Sequence, residues 1–384
     1  MIKKHNVQEK YNLPSEVRFC KKCVISNQRP RIKFDSNGVC NACNYAERKK
    51  SEIDWKLREE ELWGLLSKYR RSDGKFDVIV PSSGGKDSVF VAHQLKFKYD
   101  MNPLTVTWAP HIYTDIGWKN FQAQIHAGLP NILGTPDGQV HRRLTKDCLI
   151  EMGEPFQPFI YGQVSFPLQM ALAYDIPLIM DGENGEVEYG GDDSSNEKGF
   201  TLEDEIKYWF SSFPIDYWLE KGYTRKELNI YFPPDIEKVV KAKINRQFFS
   251  YYHNWDPQEN YYYASENTGF KANPDGRSEG TYSKYASLDD KIDGFHYYLM
   301  FAKFGICRAT SDAAHEIREG HLTREEGISL VRKFDGEFPK KYFQDFLDYC
   351  DITEDVFWNI VDSWRAEHLW KKEGDNWKIK EQIK

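Results

Sequence analysis

No stretch of this 384-residue chain approaches the ~20 consecutive apolar residues that a bilayer-spanning helix requires, so membrane insertion is not expected. The opening Met1-Ile2-Lys3-Lys4-His5-Asn6 lacks the apolar core of a signal peptide, which makes the cytoplasm the expected compartment. Cysteine is scarce and unevenly placed. There are seven, and four of them form two Cys-x-x-Cys pairs, which fits a reducing compartment and a metal better than a disulfide frame. Positive charge is concentrated in residues 1–50, with twelve Lys and Arg against four Asp and Glu, although the whole chain carries −7. An acidic body argues against a nucleic-acid partner, which needs an extended basic surface. The basic head suits an acidic partner, a phosphate-bearing ligand, or a solvated face on a small module. No internal repeat or low-complexity segment is present.

What the chain has in quantity is aromatic residues, 15% of the total within 40% hydrophobic content, enough for a large core plus appendages. Cys20-Lys-Lys-Cys23 and Cys40-Asn-Ala-Cys43 lie sixteen residues apart. Each pair converges two thiolates from a tight turn, and four close a tetrahedral site with no open position, so a structural Zn2+ is expected on Cys20, Cys23, Cys40 and Cys43. Between the pairs, Arg29 to Gly38 reads as a short strand ending in an Asn-Gly turn. Asp54 to Arg71 reads as an amphipathic helix with Trp55, Leu62, Trp63 and Leu66 on its apolar side.

The chain is organised around residues 76–95, a β-branched strand that breaks at Pro81 into Ser82-Ser83-Gly84-Gly85 and resumes as a helix. A strand, a glycine turn and a helix N-terminus make an anion site from free N–H groups and the helix dipole. Lys86 adds an ammonium, Asp87 a carboxylate suited to Mg2+, and Ser83 and Ser88 add hydroxyls. The spacing is not that of a Walker A loop. Strands are expected over 103–108, 131–135 and 177–180, and helices over 118–127 and 163–174. This alternation indicates a doubly wound α/β parallel sheet, with the second strand beside the first. The loop Asp181 to Asp193 then falls at the carboxyl edge of the sheet, where ligands bind. It offers Glu183, although an acidic solvated loop reads equally well.

The expected organisation is a zinc-binding module over 1–50, a connecting helix over 51–75 and an anion-binding α/β core over 76–194. An aromatic-rich insertion on the substrate side follows over 195–290, and residues 291–384 complete the core and add C-terminal helices. In the insertion, Phe248 to Trp255 and Tyr261-Tyr-Tyr263 suit a sugar or nucleotide face, or ordinary core, or a subunit contact. Helix 294–304 ends at Gly305, with Lys303 and Arg308 on either side of the turn, and the tail beyond Pro339 reads as helical and aromatic.

Ser83-Gly84-Gly85-Lys86-Asp87-Ser88 after a strand resembles the PP-loop of ATP pyrophosphatases, which cleave ATP to AMP and pyrophosphate. Further motifs follow in one order: the cysteine pairs, Thr105-Val-Thr-Trp108, Gly182-Glu-Asn-Gly185, Tyr282 to Gly294, and Phe304-Gly-Ile-Cys-Arg-Ala-Thr310. Together, over about residues 16–340, they resemble the N-acetyl sugar amidotransferase family of bacterial surface-polysaccharide and flagellar-glycan biosynthesis. The resemblance implies conversion of an acetamido to an acetamidino group on a sugar or nucleotide-sugar, with ATP, Mg2+ and Zn2+. It places Ser83, Gly84, Gly85, Lys86, Asp87 and Ser88 on the nucleotide, Asp87 on magnesium, Lys303 and Arg308 on the leaving pyrophosphate, and Glu183 near the incoming ammonia.

A glutaminase of the cysteine type needs a Gly-x-Cys-x-Gly elbow. Gly305-Ile-Cys307-Arg-Ala309 lacks the second glycine and follows a helix, so Cys307, Cys148 and Cys350 read as buried and inert. A separate glutaminase subunit is therefore expected, with a cyclase-like channel subunit as the resemblance suggests. Two other readings stand beside this one. In a tRNA sulfurtransferase, sulfur replaces ammonia as the nucleophile; the third reading is a non-catalytic nucleotide-binding scaffold.

Overall fold

The computed structural model describes residues 3–210, 213–374 and 376–384. Met1 and Ile2, where the N-terminal reading begins, lie outside the described residues. Five strands form one parallel sheet: β1 (Val78–Pro81), β2 (Pro103–Trp108), β3 (Asn131–Gly134), β4 (Leu178–Asp181) and β5 (Asn245–Phe248). Their order is β3-β2-β1-β4-β5, with Ile79 level with both Leu104 and Ile179. Alternate residues of the short strands feed opposite faces. Val78, Val80, Leu178 and Met180 join Leu62, Leu66, Phe90 and Leu95 of two helices on one side. Ile79 and Ile179 join Leu144, Val164 and Leu168 of two helices on the other. Apolar burial on both faces is what a doubly wound sheet requires.

Several elements depart from the sequence reading. The stretch 195–290 supplies β5, so the sheet continues past residue 194. The helix expected from Gln163 begins at Gln157, with Pro158 in its first turn and Pro167 inside it. Gly162 belongs to that helix because an added Cβ there would lie 2.0 Å from the Trp108 ring. No strand forms between the cysteine pairs among the described residues; a single bridge joins Phe34 to Cys40 across a turn at Gly38. In the helix Trp55–Tyr69, capped by Asp54, Leu62 and Leu66 are buried. Trp63 stays 40% exposed, edge-on to Tyr99. The tail holds two helices, Phe343–Cys350 and Glu354–Ser363, and then an antiparallel hairpin of Trp370–Glu373 with Asn376–Ile379 that the reading as helix missed.

The cysteine module has no core of its own. Cys20, Cys23, Cys40 and Cys43 share one hydrophobic cluster with Phe295, Leu299, Phe346, Phe357 and Trp364 of the C-terminal part. His5 stacks on Trp364 with centroids 3.7 Å apart. Both ends of the chain thus close over the same edge of the molecule.

Candidate active site

The strand order reverses between β1 and β4, and ligands of open α/β sheets bind at that point, outside the carboxyl ends. The turn after β1 lies there. Gly84 takes φ +89°, and a Cβ on it would stand 2.7 Å from the Phe121 backbone, so no other residue fits without displacing that helix. Gly85 caps the helix Lys86–Phe97, whose first-turn amides have no partner within the helix. Ser82 Oγ donates to Gln124 Oε1 at 2.7 Å, and Ser88 Oγ donates to the Gly85 carbonyl at 3.0 Å. Ser88 therefore braces the turn, while Ser83 and the ends of Lys86 and Asp87 face a cavity of about 630 Å³. That volume is of ligand size.

Lys86 and Asp87 pair with each other, and Asp87 Oδ1 accepts from Asn260 Nδ2 at 2.9 Å. Glu183 enters from the loop after β4. Burial first, and then the Asp87 carboxylate, push its carboxyl up to about 7, with Lys86 opposing. A carboxylate at a phosphate-binding turn fits a divalent cation shared with bound phosphates, and Asp87 would hold it. Arg308, in the first turn of the helix Arg308–Glu319, reaches the same cavity, with Nε 3.0 Å from Asp312 Oδ1 and a hydrogen bond to the Tyr297 hydroxyl.

Lys303 is not brought together with the others. It is 3% exposed, its ammonium lies 3.7 Å from Glu154 Oε2, and it does not line the cavity. The cavity is lined instead by His296, two turns earlier on the same helix, whose Nδ1 is 2.7 Å from the other oxygen of Glu154. Burial works against the imidazolium, but Glu154 outweighs it and raises the His296 pKa. Sequence reasoning missed His296 because a histidine among Phe295, Tyr297 and Tyr298 reads as core.

The acidic loop is neither free nor solvated. Residues Gly185–Glu188 form a helical turn, and the basic head docks on it. Arg31 Nε donates to Glu186 at 3.0 Å, Arg48 to Glu197 at 2.9 Å, and Lys33 pairs with Asp193. Lys49, fully buried, lies 3.3 Å from Glu188 and 3.0 Å from Glu319. Glu188, His315 and Glu319 come close enough to ligate an ion, but the Lys49 ammonium already stands between the two carboxylates. Arg29 lines the cavity and donates to the Gly190 carbonyl at 2.5 Å. Of the readings open for the basic head, Arg31, Lys33 and Lys49 meet acidic residues of this chain's own loop, while Arg29 turns to the cavity.

The four cysteine sulfurs are buried and mutually within 4.8 Å, with Cys20–Cys43 and Cys23–Cys40 at 3.8 Å. Metal–sulfur bonds of ~2.3 Å at tetrahedral angles give edges of about 3.8 Å, so the set fits Zn2+. Backbone N–H groups of Lys22, Cys23 and Cys40 point at Cys20 Sγ from 3.3–3.5 Å, as expected for a thiolate. Such an ion would be structural and would supply no chemistry to the cavity.

The sheet order and the Ser-Gly-Gly-Lys-Asp-Ser turn at its switch point define a doubly wound α/β protein with a PP-loop-like turn, a four-cysteine cluster before the sheet and a helical, aromatic part after it. Residues 279–384 match the family model described as LPS biosynthesis protein WbpG-like, C-terminal domain. That match includes Tyr282–Gly294 and Phe304–Thr310, and it fits the N-acetyl sugar amidotransferase resemblance of those motifs. A stretch of 88 residues is 30% identical to an uncharacterized protein of Methanocaldococcus jannaschii, covering 23% of this chain and 31% of that protein, so less than a third of that relative's length is spanned. Among solved structures, the chain is similar to an NH3-dependent NAD synthetase from Campylobacter jejuni at 14% identity, over 50% of this chain and 93% of the other, with a TM-score of 0.29. No helix among the described residues is long and apolar enough to cross a membrane.

Proposed function

We propose that this protein is an ATP-dependent amidotransferase that converts the acetamido group of a bacterial sugar or nucleotide-sugar to an acetamidino group in surface-polysaccharide synthesis. The observation that carries the reading is the convergence of Lys86, Asp87, Glu183 and Arg308 on one cavity beneath a phosphate-binding turn. The match of residues 279–384 to a lipopolysaccharide-biosynthesis model supports the same class of substrate.

An amide carbon is a poor electrophile, and transfer of AMP from ATP to its oxygen makes that oxygen a leaving group. In this reading the amides after Gly85, together with Ser83, hold the phosphates, and Lys86 and Arg308 neutralise the charge that grows on departing pyrophosphate. Magnesium held by Asp87 would screen the same charge. Ammonia then forms the new C–N bond, the C–O bond to AMP breaks, and the proton lost from nitrogen passes to a cavity carboxylate or imidazole such as Glu183. Tyr189, Tyr285 and Tyr297 line the cavity and exclude water from the activated carbon.

The ammonia comes, in this reading, from a separate glutaminase subunit. Cys307 is buried at a helix start, and burial pushes its thiol well above the ordinary range. Cys148 is raised likewise, and Cys350 is pushed up to about 12. A glutaminase nucleophile needs an accessible thiolate of low pKa. The tRNA sulfurtransferase reading loses support because several cations of the basic head are engaged by the acidic loop.

The test is incubation of the purified chain with candidate acetamido sugars, ATP, Mg2+ and ammonium, followed by mass spectrometry. Exchange of one oxygen for NH, with AMP and pyrophosphate released, is expected. Pyrophosphate release with no change in any sugar overturns the reading, as does full activity with glutamine as the sole nitrogen donor for the role of a separate subunit.

A further inference from the structure

The helix Pro257–Asn267, part of the aromatic tract, lies along the helix Lys86–Phe97 that carries the turn's two charged residues. The Tyr263 ring meets Phe90 edge-on at 5.1 Å, and its hydroxyl is 2.8 Å from His93 Nδ1. From this seat the helix reaches both charges. Asn260, 1% exposed, donates Nδ2 to Asp87 Oδ1. Tyr261 stacks on Tyr285 at 4.8 Å and 24°, and the Tyr285 ring lies 5.2 Å from Lys86 Nζ.

We propose that this helix aligns the Lys86–Asp87 pair, with Asn260 as the positioning residue for the carboxylate and the Tyr261–Tyr285 stack as the rest for the ammonium. The inference rests on the magnesium–ATP reading given above. With Oδ1 held by Asn260, the carboxylate cannot turn about its terminal bond, and only Oδ2 rests on Lys86. An amide provides that hold without adding a second positive charge beside Lys86; Arg or Lys in its place would leave the carboxylate shared between two cations and closed to a metal. Without the amide, Asp87 is free to rotate onto Lys86 with both oxygens, and each quenches the other.

The experiment titrates Mn2+ into the full chain with a non-hydrolysable ATP analogue, followed by electron paramagnetic resonance, for wild type and Asn260→Leu, a near-isosteric change that removes the donor. The expected result is a 10- to 100-fold weaker Mn2+ affinity, the range typical of lost partners behind a metal ligand, with melting in metal-free buffer little changed. A folded variant within two-fold of wild type overturns the assignment of Asn260. Should the Leu variant not fold, Asn260→Ser, too short to reach the carboxylate, is measured in the same way with the same criterion. A wild-type chain that binds no Mn2+–nucleotide overturns both this inference and the ATP reading beneath it, whereas normal wild-type binding with an unchanged variant overturns this inference alone.

Discussion

Glu183 and Asp87 show how one cavity gives two carboxylates different work. The folded pKa of Glu183, about 7, lies above its ordinary value of 4.5. The group therefore costs no stability at low pH, where it is protonated in both states, and withdraws stability progressively as the pH rises toward 7. Glu183→Gln is expected to raise the melting temperature at pH 8 and leave it nearly unchanged at pH 4, an effect on the order of 1–3 kcal/mol at most, read by thermal melts across that window. Asp87→Ala is expected to lower pyrophosphate release by at least about 100-fold, in keeping with loss of a group that acts on developing charge; release at the wild-type rate would remove Asp87 from the mechanism. Lys303 and His296 make a third case. Lys303→Met leaves Glu154 with His296 as its partner and is expected to act mainly on stability, whereas His296→Gln changes the cavity wall itself and is expected to alter KM for ATP or sugar.

At the scale of elements, the strand–turn–helix unit at residues 78–97 was legible because β-branched residues, glycines at a turn and helical spacing all point the same way. Gly84→Ala should abolish nucleotide binding and destabilise the fold by about 2 kcal/mol or more, since it adds a strained positive φ to a backbone clash with Phe121. The helix start at Gln157 was not legible, because Pro158 and Gly162 look like breakers until the Trp108 ring is seen to occupy the space beside Gly162. Strand β5 was hidden for a similar reason: Asn245-Arg-Gln-Phe248 has a polar composition, and Arg246 is buried between Asp181 and Glu205 instead of facing water. The ion pairs that seat the head on the loop join residues more than a hundred positions apart, and no local pattern reports them. Lys49→Met should cost about 3–5 kcal/mol by stranding Glu188 and Glu319 without their cation, measurable by denaturant unfolding.

For the whole molecule, the cavity at the turn after β1 draws walls from distant parts of the chain, among them Arg29 from the head, Glu183 and Tyr189 from the loop after β4, and Arg308 with His315 from the C-terminal helices. Arg318 ties two of these together, reaching within 4.0 Å of Cys23 Sγ while donating to the Glu188 carbonyl at 2.8 Å. Stripping the thiolate-bound ion with a strong chelator is therefore expected to lower stability, change the fluorescence of Trp364 in the shared core, and weaken nucleotide binding together. A chelated protein that keeps its melting temperature would show that the four sulfurs need no metal.

The common core of the first fifty residues and the last ninety has a consequence for how the polypeptide is made. While the ribosome is still extending the sheet, the head can meet its charged partners on the loop after β4 but not its apolar ones, and its thiolates and apolar residues wait for the last helices to emerge. Early capture of an ion by the nascent head would shield those sulfurs from oxidation during the wait, so metal supply during translation, more than in the finished protein, should govern how much of the chain reaches its native state.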